Sequence, residues 1–390
     1  MPIFWQGENA TRSRPSRTAE KDDEKGLPMK VYVFPGQGAQ QKGMGASLFD
    51  EFPDLTRAAD SILGYSIKEL CLEDPEGLLD RTQCTQPAMY VVNALSYYKK
   101  IRETGMVPDV VAGHSLGEYN ALLAAEVFDF ETGLRLVRKR GELMGRASGG
   151  GMAAVLNASE REIRTILAEN GLDSVDLANF NTPSQIVISG RAEDIDAAKP
   201  LFQTGKHLFM PLRTSGAFHS RYMEPARAEF EEFLTGMNLS GPCIPVISNV
   251  TARAYEDHLV KESLTRQMVS AVRWSDSMEH LLEQPGVEFE EIGHGNVLTK
   301  LLAKIRREIK NTDKPLPEVS KKPENAGEMV RKWNERYAVG ARFRSTTGNY
   351  GELETATAAT VLFGHRAAVY MNGYRGYFDL RELEPVAAAQ

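Results

Sequence analysis

Apolar positions along the chain fall at two spacings, and the change from one to the other marks its elements. Short unbroken runs at Lys30-Val31-Tyr32-Val33-Phe34 and Pro108-Asp109-Val110-Val111-Ala112, each stopped by a glycine or proline, predict buried strands. Around them the spacing is helical, over 48–52, 55–62, 86–100 and 118–125. The best-marked helix covers 130–145, where Phe130, Leu134, Val137 and Leu143 share one side and Arg135, Lys139 and Glu142 lie elsewhere. This alternation predicts an α/β layer architecture with a mostly parallel sheet.

The glycines at 149–151 break the pattern and a second unit follows. It reads as a strand at Met152–Leu156, a helix at Ser159–Glu169 and strands at 174–179 and 185–189, then a helix at 192–202 and a strand at 207–212. Ser159 and Glu162 have capping-box spacing. The order β-α-β-β-α-β is the ferredoxin-like pattern. It predicts a small subdomain over 146–212 inserted into a core made of 30–145 and 213–310, with a strand at 244–248 and a last helix at 297–310. Residues 311–328 carry Pro315, Pro317 and Pro323 and read as a linker. After a short helix near 329–336, residues 338–382 are rich in β-formers, with an Asn372-Gly373 turn. A small β-rich C-terminal module over 329–390 is expected, either packed on the main body as an extension or used to dock a synthase. Residues 1–29 are polar and of mixed charge, which predicts a flexible leader, with Met29 as an alternative start. Their acids (Glu20, Asp22, Asp23, Glu24) argue against a transit peptide.

Composition narrows the function classes. The 390 residues carry a formal charge of −7, which disfavours a general nucleic-acid binder. No apolar run approaches the roughly 20 residues that span a bilayer. Three widely spaced cysteines, Cys71, Cys84 and Cys243, match no zinc pattern and argue for a reducing compartment, so a cytoplasmic protein without bound metal is expected.

The chemistry concentrates at Gly113-His114-Ser115-Leu116-Gly117. A G-x-S-x-G run between a strand and a helix is a nucleophile elbow: the turn exposes Ser115, and amides at the start of the helix can receive an oxyanion. The plainer reading is a tight turn with an incidental serine. A serine nucleophile needs a distant base, and seven histidines are available. His114 lies inside the elbow, beside the serine rather than oriented towards it. His207 falls in a strand, His258 and His280 in charged helices, and His365 in the C-terminal module. His294 sits in a glycine turn that could approach the site. His219, in Ser215-Gly216-Ala217-Phe218-His219-Ser220, is the strongest candidate because the small unit hands back to the core there, and clefts between units bind ligands.

Seven segments in order resemble the malonyl-CoA:acyl-carrier-protein transacylase family, including the free-standing acyltransferases of polyketide synthases. They are Phe34-Pro35-Gly36-Gln37-Gly38-Ala39-Gln40, Thr85-Gln86-Pro87-Ala88, Gly113–Tyr119, Arg138-Lys139-Arg140-Gly141, Asn179-Phe180-Asn181-Thr182-Pro183, Gly216–Ser220 and Gly293–Leu298, over about residues 30–310. The resemblance implies an α/β-hydrolase-like core with an inserted ferredoxin-like subdomain. It implies Ser115 as nucleophile, His219 as base, and the backbone amides of Gln37 and Leu116 as oxyanion hole. The main-chain carbonyl of Gln267 would orient His219. Arg140, with Gly141 beside it to admit substrate, would bind the malonyl carboxylate, while Phe218, His114 and Gln86 line the substrate site. Phe218 would disfavour an α-methyl group.

The implied reaction is ping-pong transfer of malonyl from CoA through a Ser115 ester to the phosphopantetheine thiol of an acyl carrier protein, in polyketide or fatty acid synthesis, with no bound cofactor. Lys300, Lys304, Arg306, Arg307 and Lys310 could offer a basic face to an acidic carrier, or be ordinary solvated helix charges. Two rivals stand beside this reading. One is a hydrolase that clears carrier proteins with the same Ser–His pair, for which a buried guanidinium would be a cost. The other is a catalytically silent scaffold acting through the C-terminal module.

Overall fold

The computed structural model describes residues 28–214, 216–312, 326–346, 350–362, 366–374 and 377–386. The leader up to residue 27, linker residues 313–325, Ser215 and His365 lie outside them. The chain divides into two units, Met1–Asp313 and Lys314–Gln390.

Among its described residues the first unit has eight strands: β1 (Lys30–Phe34), β2 (Val110–Gly113), β3 (Gly150–Leu156), β4 (Asp176–Thr182), β5 (Gln185–Arg191), β6 (Leu208–Pro211), β7 (Val246–Ile247) and β8 (Glu288–Glu291). One sheet has the order β7-β2-β1-β8, parallel throughout. Its side chains alternate between faces, as the two-residue period of a strand requires. Tyr32 and Phe34 join a cluster with Tyr90, Leu95, Leu122 and Leu134 from the helices Thr82–Thr104, Gly117–Ala124 and Phe130–Gly145. Val31, Val33, Val110 and Ala112 face Trp274, Met278, Leu298 and Leu302 from the helices Trp274–Leu282 and Val297–Thr312. Helices on both faces explain why these strands read as continuous apolar runs.

The second sheet, antiparallel, has the order β4-β5-β3-β6. The helices Glu160–Glu169 and Ala192–Ala198 follow β3 and β5, so the chain order is β-α-β-β-α-β. Both bonds of the Ser159–Glu162 capping box form. One face of this sheet closes a core of its own around Val155, Ile163, Ile188 and Phe202. The other brings Met152, Ala154, Ala178 and Val187 into the main cluster. Pairing of β4 with β5 shifts between Leu177 and Asn179 and again between Phe180 and Thr182. Such irregularities re-aim side chains beside functional sites.

Among its described residues the second unit carries a helix at Ala326–Arg336 and six strands: β9 (Arg342–Ser345), β10 (Glu352–Glu354), β11 (Thr360–Leu362), β12 (Arg366–Tyr370), β13 (Tyr377–Asp379) and β14 (Leu383–Pro385). They form two three-stranded antiparallel sheets, β10-β9-β14 and β11-β12-β13. Phe343, Leu353, Val369 and Leu383 make its core, with the Trp333 ring stacked 4.6 Å from Phe343. The Asn372-Gly373 turn follows β12, with Gly373 at φ 80°.

Candidate active site

Strand β2 ends at Gly113 and the helix begins at Gly117, so three residues reverse the chain. Ser115 takes φ 51°, a left-handed conformation uncommon for a residue with a Cβ. The crowding explains both flanking glycines. A Cβ at Gly113 would lie 2.0 Å from Gly117 C, and one at Gly117 would lie 2.0 Å from Phe34 O. The turn is pressed onto β1, and Asn249, just past β7, clamps it from the other side. The Ser115 amide donates to Asn249 Oδ1 at 2.7 Å, and Asn249 Nδ2 donates to Gly113 O at 2.7 Å.

His219 Nε2 lies 2.7 Å from Ser115 Oγ, and Nδ1 lies 2.9 Å from the backbone oxygen of Gln267. A carbonyl can only accept, so Nδ1 carries the proton and Nε2 presents its lone pair to the serine hydroxyl. Burial, with the charge of Arg140 added, pushes His219 down to about 3. The imidazole is therefore neutral and able to take a proton.

Arg140, on the Phe130–Gly145 helix, is 1% exposed. Its Nη1 donates to Gln86 Oε1 at 2.7 Å, and Nη2 donates to Gln267 Oε1 at 2.9 Å and to Ser115 Oγ at 3.1 Å. Nε has no partner, and among the described residues no carboxylate lies within 4.0 Å of the guanidinium. Burial lowers its pKa. The charge of the buried Glu118 acts on it through space, but no carboxylate pairs with it directly, and a buried cation left so is costly.

Gln37, Gln86, His114, Ser115, Arg140, Phe218 and His219 all line one cavity of about 340 Å³. Leu116 contributes no lining side chain, being buried in the core. Among the described residues no turn, loop or side-chain hydrogen bond occupies the Leu116 or Gln37 amide. The two amides come from adjoining loops: a Cβ at Gly36 would lie 2.3 Å from His114 O and 3.5 Å from Leu116 N. His114 Nε2 sits 2.8 Å from Asn181 Oδ1 on β4, and burial lowers its pKa.

Other histidines lie elsewhere. His294 is 3.5 Å from Gln41 Oε1 and does not line the cavity. His207, His258 and His280 stand 4.0, 3.9 and 3.6 Å from Glu162, Glu256 and Glu283. The expectation for Gly141 is corrected. A Cβ there would lie 3.3 Å from Gln83 Cα, so the glycine lets two helices approach and opens no path for substrate.

Asn249 and the Gln267 side chain are absent from the sequence reading, and Asn181 and Glu118 stand in its resembling segments with no role attached. A usable signal existed for Asn249, a polar residue just past the carboxyl end of a parallel strand, where α/β sheets bind ligands. Among the described residues no group of three His, Cys, Asp or Glu could hold a metal, and no helix is long and apolar enough to cross a membrane.

A serine–histidine pair, two open amides and a buried guanidinium around one cavity suit acyl transfer of a carboxylated acyl group. Residues 31–342 match a family model described as an acyl transferase domain, extending past residue 310 where the motif resemblance ends. The chain belongs to the acyl transferase family. This acyl transferase is 58% identical over 282 residues to the polyketide biosynthesis malonyl CoA-acyl carrier protein transacylase PksC of Bacillus subtilis, covering 72% of this chain and 98% of that protein. It resembles the crystal structure of a malonyl CoA-acyl carrier protein transacylase from Burkholderia pseudomallei, with TM-score 0.71 and 53% identity over 74% of this acyl transferase and 100% of that chain. It also resembles, at TM-score 0.68 and 34% identity, the malonyl-transacylase structure solved with its type II polyketide synthase acyl-carrier protein, over 72% of this chain and 93% of that one.

Proposed function

We propose that this acyl transferase is a malonyl-CoA:acyl-carrier-protein transacylase serving polyketide synthesis. The observation that carries the proposal is Arg140: a fully buried guanidinium with an unpartnered Nε–H, whose Nη2 reaches the nucleophile oxygen. A planar guanidinium grips a carboxylate through two parallel hydrogen bonds, and such a pair is strongest in a dry cleft.

Malonyl-CoA enters with its carboxylate at Arg140 and its thioester carbonyl over Ser115. His219 Nε2 takes the hydroxyl proton as Oγ attacks, and the Leu116 and Gln37 amides receive the oxyanion. The intermediate collapses to the malonyl-serine ester, and the departing CoA sulfur takes the proton from His219. A carrier protein's phosphopantetheine thiol then repeats the sequence in reverse, leaving malonyl on the carrier. Removing one oxyanion donor from such a site costs about 10²–10³ in rate. The bound carboxylate also offsets the Arg140 charge that depresses His219. The base is thus strengthened by the acyl group that Arg140 selects. Phe218 is 4% exposed and lines the cavity, where it leaves little room for an α-methyl group.

The 150–211 layer is read as an inserted ferredoxin-like subdomain on an α/β-hydrolase-like core, and the second unit as a docking module for a synthase. A hydrolase of neutral acyl chains would carry the desolvation cost of Arg140 for no gain. Mixing the enzyme with malonyl-CoA and holo carrier protein tests the choice. The proposal expects malonyl on the carrier in amounts matching the CoA released. Free malonate in place of malonyl-carrier would establish a hydrolase instead.

A further inference from the structure

We infer that Glu118 is a positioning residue for substrate selection: its carboxylate fixes which way the Gln267 amide faces, and through that amide it aims the guanidinium of Arg140. The inference rests on the reading of Arg140 as the receptor for the malonyl carboxylate.

Glu118 is completely buried on the elbow helix, three residues past the nucleophile. Oε1 accepts from the Asn249 backbone amide at 2.8 Å and from the Tyr255 hydroxyl at 2.9 Å. Oε2 accepts from Gln267 Nε2. That same Nε2 donates its other hydrogen to the Ser115 backbone oxygen at 2.8 Å. Both hydrogens of the Gln267 amide are therefore held by groups that can only accept. Its oxygen is left facing Arg140 Nη2 at 2.9 Å, a group that can only donate.

Turning the amide over would set oxygen against a carboxylate and a carbonyl, and NH₂ against a cation. Three like-signed contacts forbid that arrangement. Gln267 also presents the backbone carbonyl that holds His219 Nδ1. One residue thus supports the base through its main chain and the receptor through its side chain, and Glu118 determines the second of these.

Above about pH 7, where it is ionised, the carboxylate can only accept, and that is the point. A glutamine at 118 could fill much the same volume without an ionisable group in a dry site, where burial pushes the carboxyl up to about 7 against the pull of its donors. It could not enforce the orientation, because its own amide offers a donor as readily as an acceptor.

The test is the ratio of Ser115 acylation rates with malonyl-CoA and acetyl-CoA, measured by rapid-quench mass spectrometry on the full chain. Glu118→Gln should lower the malonyl-to-acetyl ratio by about tenfold, because only the carboxylated substrate uses Arg140. Gln267→Leu, which keeps the backbone carbonyl for His219, should lower it similarly. The double variant should show no further fall, since both changes break one chain of contacts.

Equal losses with both substrates in folded Glu118→Gln would mean a structural role only and overturn the inference. Should that variant not fold, an unchanged ratio in Gln267→Leu overturns it equally. Arg140→Ala separates this inference from the reading beneath it. If the ratio survives in Arg140→Ala, the receptor assignment fails and the inference with it. If it collapses there but holds in the other variants, the inference alone fails.

Discussion

Ser115 Oγ and His219 Nε2 stand 2.7 Å apart, and both residues hold left-handed backbone conformations, at φ 51° and 57°. Each strained residue stands at a tight turn, and each is held by polar contacts from a distant segment: Ser115 by Asn249, His219 by the Gln267 carbonyl. Strain of this kind persists only where the surroundings over-determine it. The reacting pair is thus assembled by tertiary contacts rather than by local preference.

Asn249→Ala removes the acceptor of the Ser115 amide and the donor to Gly113 O, leaving two buried backbone groups without partners. Stability should fall by about 2 kcal/mol or more in chemical denaturation. Serine acylation should slow as the elbow relaxes, by up to about 100-fold. A variant that loses stability but acylates at the wild-type rate would show that the clamp does not position the nucleophile.

The depressed His219 pKa fixes the sign of two pH effects. Its neutral form persists down to about 3, so the acylation rate should show no inflection near the usual imidazole value of about 6.5. For stability, the unfolded chain binds a proton here from about pH 6.5 downward, while the folded chain does not until about pH 3. The stability contributed by the neutral imidazole is complete above pH ~6.5 and is lost as pH falls through that window. His219→Gln should remove this part of the acid limb, read as a flatter denaturation midpoint against pH. An unchanged slope would mean that His219 titrates normally.

Phe218→Ala should enlarge the cavity next to His219. Discrimination against methylmalonyl-CoA should weaken by ~10–200-fold, the usual value of one methyl group in a tight pocket. Competition between malonyl-CoA and methylmalonyl-CoA in a single acylation reaction measures it. Undiminished selectivity would move the α-methyl contact to another wall.

Elements with an unambiguous local pattern were legible in the sequence. Strand β1 occupies Lys30–Phe34 as expected, because a doubly covered parallel strand is one apolar run and Pro35 ends it. The Phe130–Gly145 helix also matches, opened by Asp129, whose side chain accepts from the Thr132 amide. The Thr82–Thr104 helix was read four residues short at each end. Its first turns bury polar Thr82, Thr85 and Gln86, so no amphipathic edge marks the start. Strand β4 was read two to three residues early because its irregular pairing with β5 spoils the alternation.

At the site, Ser115, His219 and Arg140 were visible through short motifs, and the cavity brings them together. Asn249 and the Gln267 side chain were not, and Glu118 stood inside the Gly113–Tyr119 segment with nothing to mark its role. Their contacts join distant segments, 131 residues apart for Asn249 to Glu118 and 127 for Gln267 to Arg140, and a buried polar network of that span leaves no periodic trace. Gly141 was misread because nothing in the local sequence says that the Thr82–Thr104 helix lies against it.

The central claim is that Ser115 carries the acyl group, and intact-protein mass spectrometry after brief mixing with malonyl-CoA tests it without any carrier protein. A single malonyl adduct that maps to the peptide holding Ser115, and is absent from Ser115→Ala, is the predicted result. An adduct that persists in Ser115→Ala, or none in the wild-type enzyme while CoA is released, would contradict the account.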